Sequence, residues 1–146
     1  MLYSRSAEYA IRALVCLARA PQGKYSMARV IADAEQIPGH FLAKILQELT
    51  RKGLLRSSKG PTGGFCLRVP AHEIRLIELV EMIDGRALAD AGGRIPWTLD
   101  GWKPLHSRIM ESLGRWTIAD LARAVADQER AVGGARRTTR PQSRKD

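Results

Sequence analysis

Cysteine is scarce in this 146-residue chain, which holds only Cys16 and Cys66. Two thiols without close spacing exclude a disulfide scaffold and the common zinc-finger patterns. Each reads as a small apolar filler or a partly exposed thiol. Alternation along a strand sets Cys66 opposite Phe65 and Leu67, which makes it the more exposed of the two, open to a redox role; Cys16 reads as inert. Long apolar runs are missing as well. None approaches the ~18 residues of a membrane span, and the N-terminus lacks the basic-then-apolar order of a signal peptide, so a cytoplasmic chain is expected. Histidine occurs only as His40, His72 and His106, in separate segments without a nucleophile partner, and no phosphate-loop or metal-hydrolase motif is present. Enzymatic function is therefore not expected. Acidic residues are outnumbered, 15 against 24 Lys and Arg, for a formal charge of +9. Part of this excess sits in the tail (Arg136, Arg137, Arg140, Arg144 and Lys145 against Asp146), yet the remainder stays positive and suits a polyanionic partner.

What is present is one domain's length of amphipathic segments, enough to bury roughly two-thirds of the unfolded surface. Ser4 or Ser6 can cap a first helix whose apolar face is Ala7, Ala10, Ile11, Leu14 and Leu17, and Pro21-Gln22-Gly23 ends it. Ser26 is the expected cap of a shorter helix lined by Met27, Val30, Ile31 and Ala34. Gln36 to Gly39 makes a tight corner, with Pro38 suited to the start of the next helix. There Leu42, Ile45, Leu46 and Leu49 follow the i, i+3, i+4, i+7 spacing of a buried face, and His40, Lys44, Gln47, Glu48 and Arg51 fall opposite. Lys52-Gly53 ends that helix. Leu54 and Leu55 begin a strand, Gly60-Pro61-Thr62-Gly63-Gly64 turns the chain, and Phe65 and Leu67 alternate on the way back.

Two short helices joined by a corner form a helix-turn-helix, whose second member enters the major groove. A basic hairpin directly after it reads as a wing. The expected fold is mainly α, a winged helix-turn-helix with a two-stranded wing. His40, Lys44 and Gln47 would face base edges, since Gln pairs with adenine and Lys donates to guanine acceptors. On the wing, Arg56, Ser57, Lys59, Gly60 and Thr62 would hold the backbone, with an arginine or lysine in a narrow minor groove. Arg5, at the start of the first helix, is a further phosphate candidate.

Beyond the wing, Leu76, Leu79, Val80 and Ile83 stripe a fourth helix that Gly85 ends. Residues 86–103 read as a loop, and Pro104 opens a helix with Leu105, Ile109, Leu113 and Trp116 in a narrow seam that would pair with another helix. Thr117 caps the last helix with Asp120 in the reciprocal position, and Ile118, Leu121, Ala122 and Val125 form its buried side. From Gly133 the tail lacks periodicity and is expected to be disordered. The chain thus divides into a DNA-binding domain (1–85), a loop (86–103), dimerisation helices (104–132) and a basic tail (133–146). Trp97, Trp102, Trp116 and His106 could line an effector pocket, or simply pack.

The strings YSRSAEYAIRALVCLA, FLAKILQELTRKGLLRSSKGPTGGFCLRVP, IRLIELVEMIDG and SLGRWTIADL carry a resemblance to a known family. Together the chain resembles the bacterial winged-helix regulators typified by the iron–sulfur cluster regulator, which also include nitric-oxide and cysteine-metabolism repressors. The resemblance covers roughly residues 1–126. It implies homodimers whose C-terminal helices cross, presenting two winged helices to a palindromic operator for repression. Several members hold an iron–sulfur cluster on three cysteines in the loop before the dimer helix. Residues 86–103 contain no cysteine, and such clusters need mainly thiolates, so no cofactor is expected. Glu8 lies where some relatives supply a carboxylate ligand; a salt bridge is the expectation for it here. The alternatives are an iron–sulfur or redox-sensing regulator of the same fold, and a non-specific nucleic-acid binder or adaptor.

Overall fold

The structure is a computed structural model that describes residues 3–85 and 102–137. Helix α1 (Arg5–Arg19) leads to α2 (Ala28–Glu35) and α3 (Gly39–Arg51), followed by strands β1 (Leu55–Ser58) and β2 (Gly64–Leu67). A short 3-10 turn (Ala71–Glu73) precedes α4 (Leu76–Asp84), and α5 (Trp102–Arg115) and α6 (Ile118–Arg137) complete the described chain. The fold is mainly helical, with a two-stranded antiparallel wing, as the sequence pattern predicts. No helix among the described residues is long and apolar enough to cross a membrane.

The core is built from the spacings that define each helix. Leu14 of α1, Ile31 of α2, Leu42, Leu46 and Leu49 of α3, Leu79 of α4 and Ile118 of α6 are all fully buried. Burying each such side chain contributes about 1.5–3 kcal/mol. Alanines let α1 approach closely: Ala7, Ala10 and Ala13 are fully buried on the face that meets α3 and α4. Between α2 and α3, Gln36 takes a left-handed conformation (φ 54°) that stops the helix, and its amide donates to the Asp33 carbonyl at 3.0 Å.

Helix ends are joined as well as capped. Ser4 caps α1, its Oγ accepting from Ala7 N–H at 3.1 Å, while its own N–H donates to Asp84 Oδ2 at 2.8 Å and its hydroxyl to Asp84 Oδ1. The first and last turns of the winged-helix unit are thus tied together. Thr117 and Asp120 form the predicted reciprocal cap: Thr117 N–H donates to the carboxylate at 2.9 Å and Asp120 N–H to the hydroxyl at 3.2 Å. The elbow between α5 and α6 is pinned to α4 by Leu76 N–H to Trp116 O and Ile118 N–H to Ile74 O, both 2.9 Å.

Four local expectations differ from the structure. Ser26 is not a cap, because Met27 holds that position without a side-chain bond and Ser26 pairs with Phe65 instead. Helix α5 begins at Trp102, not Pro104, since proline is tolerated in a first turn that lacks partners for its N–H groups. Helix α6 continues through Gly133 and Gly134 to Arg137, where a disordered tail was expected. Neither glycine adopts the positive φ that would terminate the helix. Cys66, expected to be partly exposed, is only 6% exposed. The expected loop before Trp102 and the tail beyond Arg137 lie outside the described residues, as does Trp97.

Candidate nucleic-acid interface

The helix that buries Leu42, Ile45, Leu46 and Leu49 must present its remaining faces outward. His40, Lys44, Gln47 and Arg51 are exposed along α3, and Glu48 is half-buried. Phe41 is 50% exposed, and its ring centroid lies 4.3 Å from that of His40 at an interplanar angle of 38°. An exposed aromatic there was not among the sequence candidates. The signal was available, because Phe41 falls outside the buried stripe that begins at Leu42.

The wing follows from its glycines and from one unforeseen bridge. Strands β1 and β2 pair in the register Leu55–Leu67, Arg56–Cys66, Ser57–Phe65 and Ser58–Gly64. The turn closes with Gly63 N–H donating to Gly60 O at 3.0 Å. Gly64 sits at φ +139°, and a Cβ there would lie 2.2 Å from the Ser26 carbonyl oxygen. That close approach exists because Ser26 forms a third, isolated strand position. Its N–H donates to Phe65 O at 2.9 Å, and its carbonyl oxygen accepts the return bond from Phe65 N–H at 2.8 Å. The wing is thereby fastened to the segment that leads into α2.

Arg56, Ser57, Ser58, Lys59, Gly60, Pro61 and Thr62 are all exposed along the hairpin. The structure therefore groups His40, Lys44 and Gln47 on one helix face, and Arg56, Ser57, Lys59, Gly60 and Thr62 on the adjoining wing. Arg5 is exposed on the first turn of α1, next to the Ser4–Asp84 tie, and no described contact joins it to α3 or the wing.

Charge pairing is sparse on this surface and common elsewhere, although Arg5 and Arg108 also meet no carboxylate among the described residues. Arg12, Arg19, Arg75, Arg115, Arg123 and Arg130 each meet a carboxylate within 4.0 Å. Among the described residues, Lys44, Arg51, Lys52, Arg56 and Lys59 meet none. Between Lys24 and Arg68 the acids are Asp33, Glu35 and Glu48, and Glu35 is engaged by Arg12 at 3.5 Å. Such a surface carries uncompensated positive charge, which attracts a phosphate backbone and displaces its counterions.

The remaining candidates are distributed elsewhere. In α5 Leu105 is 49% exposed, and Trp116 just past its end is 46% exposed, while Ile109 and Leu113 are half-buried and Leu113 packs against the core. Arg108, Ile109, Leu113 and Trp116 border a shallow depression of about 260 Å³. The side chains of Trp102 and His106 lie outside the described residues. Glu8 lies 3.6 Å from Arg12, the expected salt bridge. Cys16 is half-buried in α1, where burial and then the Glu35 carboxylate push its thiol above the ordinary value. Cys66 is buried in β2, on a different element. No group of three liganding side chains occurs among the described residues, and the thiols present do not fit an iron–sulfur cluster.

Comparison with known proteins gives a consistent result. Residues 3–124 match the Rrf2 family model, described as an iron-dependent transcriptional regulator. A Mycobacterium tuberculosis (strain H37Rv) protein named as an HTH-type transcriptional regulator, Rv1287, is 36% identical over 131 residues, covering 84% of this chain and 81% of its own. A protein of Aquifex aeolicus similarly named is 35% identical over 132 residues, covering 83% and 91%. Among solved structures, CymR, the global cysteine regulator of B. subtilis, superposes with a TM-score of 0.70 at 20% identity, covering 83% of this chain and 95% of that one. T. potens IscR gives 0.68 at 20% identity, covering 84% and 86%.

Proposed function

Because the chain belongs to the Rrf2 family of transcriptional regulators, we propose that it acts in the cytoplasm as a homodimeric repressor that occupies a palindromic operator. The observation that carries this reading is the run of cations on α3 and the wing that meet no carboxylate among the described residues, with the wing bridged to Ser26 ahead of α2. His40, Lys44 and Gln47 reach base edges in the major groove. Arg56, Ser57, Lys59, Gly60 and Thr62 hold the backbone beside it, and Arg5 offers a further phosphate contact. The second copy is joined through α5 and the residue just past its end, where Leu105, Ile109 and Trp116 leave apolar surface outward and Leu113 braces the helix from behind. Two copies related by a two-fold axis read two half-sites, hence the palindrome. Repression follows from occupying a promoter.

The test is selection of bound genomic fragments by the purified protein, with affinity then measured across salt concentrations. A specific dimer prefers its site by ~10³-fold or more over random duplex. Lys59→Glu weakens every duplex by a similar factor and lowers the salt slope. Gln47→Ala instead relaxes the preference at particular base pairs, by about 1–3 kcal/mol per position. Retention of no fragment in dilute buffer, or indifference to both substitutions, overturns the reading.

A further inference from the structure

A cleft of about 440 Å³ opens between the C-terminal end of α1 and the base of the wing, away from the α3 face. This volume lies in the range of small-molecule sites. Its walls are apolar where Leu17 and Ala18 of α1 meet Leu67 of β2. Cys66 also borders it, although that residue is only 6% exposed and its side chain lies on the strand face opposite that of Leu67. At the rim stand Lys24 and His72, both exposed, and no carboxylate lines the cleft. Apolar walls from both elements favour a flat hydrocarbon ring, and the rim lysine favours an anion at one end.

We propose that this cleft binds a small aryl carboxylate, ring inward against Leu17, Ala18 and Leu67, carboxylate outward to Lys24 and His72. The site acts on the wing because its floor is the wing's own return strand. Cys66 pairs in register with Arg56, so a ligand that shifts β2 shifts the cation opposite. This second part rests on the DNA-binding reading, whereas the binding itself does not.

The probe is 1-naphthylacetate, with neutral 1-naphthylacetamide as its control, titrated into the full-length protein and followed by amide nuclear magnetic resonance. The acid should give saturable shifts at Ala18, Gly23, Leu67 and Ala71, with the amide at least tenfold weaker. Lys24→Glu, at an exposed position, should weaken the acid at least fivefold without affecting the amide. Ala18→Trp fills the cleft and should abolish binding of both; its melting curve checks that it folds, and Lys24→Glu decides the matter if it does not. Equal binding of acid and amide, insensitivity to Lys24→Glu, or shifts centred on Ile109 and Trp116 would each overturn the site. On a fragment retained in the selection above, saturating acid should change DNA affinity at least threefold in the parent protein and not in Ala18→Trp. Binding without that change removes the effector role, and failure to retain any fragment leaves the resonance result to decide the site alone.

Discussion

The segment from Lys24 to Arg68 and the helix pair from Trp102 to Arg137 distribute charge and apolar surface in opposite ways. In the first, leucines and isoleucines go inward and the cations stand outward without partners. In the second, Arg115, Arg123 and Arg130 are neutralised by Glu111, Asp120 and Asp127 along their own helices, Arg108 alone of the exposed arginines described there meets no carboxylate, and Leu105, Trp116 and Val132 face out. Neutralised cations leave little field to attract a phosphate, and exposed leucine and tryptophan gain from covering by another apolar face. The first region is suited to a polyanion, the second to a protein surface. Met27, Val30 and Phe41 are the exceptions in the first region, being apolar yet exposed where α2 and α3 begin.

The same truncation made in both regions gives the sharpest contrast. Leu46→Ala should cost about 2–5 kcal/mol in urea unfolding, since Leu46 is fully buried. Leu105→Ala should move that midpoint little while weakening self-association in sedimentation. Similar losses of stability at the two sites would erase the distinction. Next in size is Gly64→Ala, which forces a Cβ against the Ser26 carbonyl at a positive φ. It should cost about 1–3 kcal/mol and open the Ser26–Phe65 pair, seen as faster amide exchange at both residues. Trp116→Asp should raise the dissociation constant of the dimer at least tenfold without changing far-ultraviolet circular dichroism; a loss of helix signal would instead make Trp116 a residue of the fold.

The smallest effect concerns the cap of α6. Asp120 is held below the ordinary carboxylate range, first by the Thr117 N–H and then by its hydroxyl. A carboxyl whose folded value is depressed contributes stability above its unfolded value and loses it as pH falls through the folded one. The stability gap between the parent protein and Asp120→Asn should therefore be constant near neutrality and shrink in acid, below the ordinary aspartate value of about 4. A gap independent of pH would show that the charge of Asp120 contributes nothing.

Local features were legible where one helix turn contains all the partners. The buried stripe of α3, the Thr117–Asp120 cap and the glycine turn of the wing each depend on residues within a few positions of one another. Ser26 misled because a serine before a helix has two uses, and its choice depends on Phe65, far along the chain. Cys66 misled for a related reason: alternation distinguishes the two faces of a strand but cannot show that the end of α1 covers the second one. Gly133 and Gly134 lower helix propensity by about 1 kcal/mol each, yet without a left-handed turn or a proline they do not end it. Phe41 belongs to neither the buried stripe nor the polar face of α3, so residue type and spacing alone assign it no role. The candidate interface was legible as residue types, and the backbone bridge from Ser26 to Phe65 was not.

The tie between Ser4 and Asp84 brings the two ends of the winged-helix unit within hydrogen-bonding reach. Ends that meet in this way form a closed clasp that couples the chain leaving Gly85 to the first turn of α1 through a single carboxylate. Pulling that carboxylate away frees the serine and loosens the opening turn of α1, where Arg5 stands. The rest of the unit, held by its interior, would keep its shape.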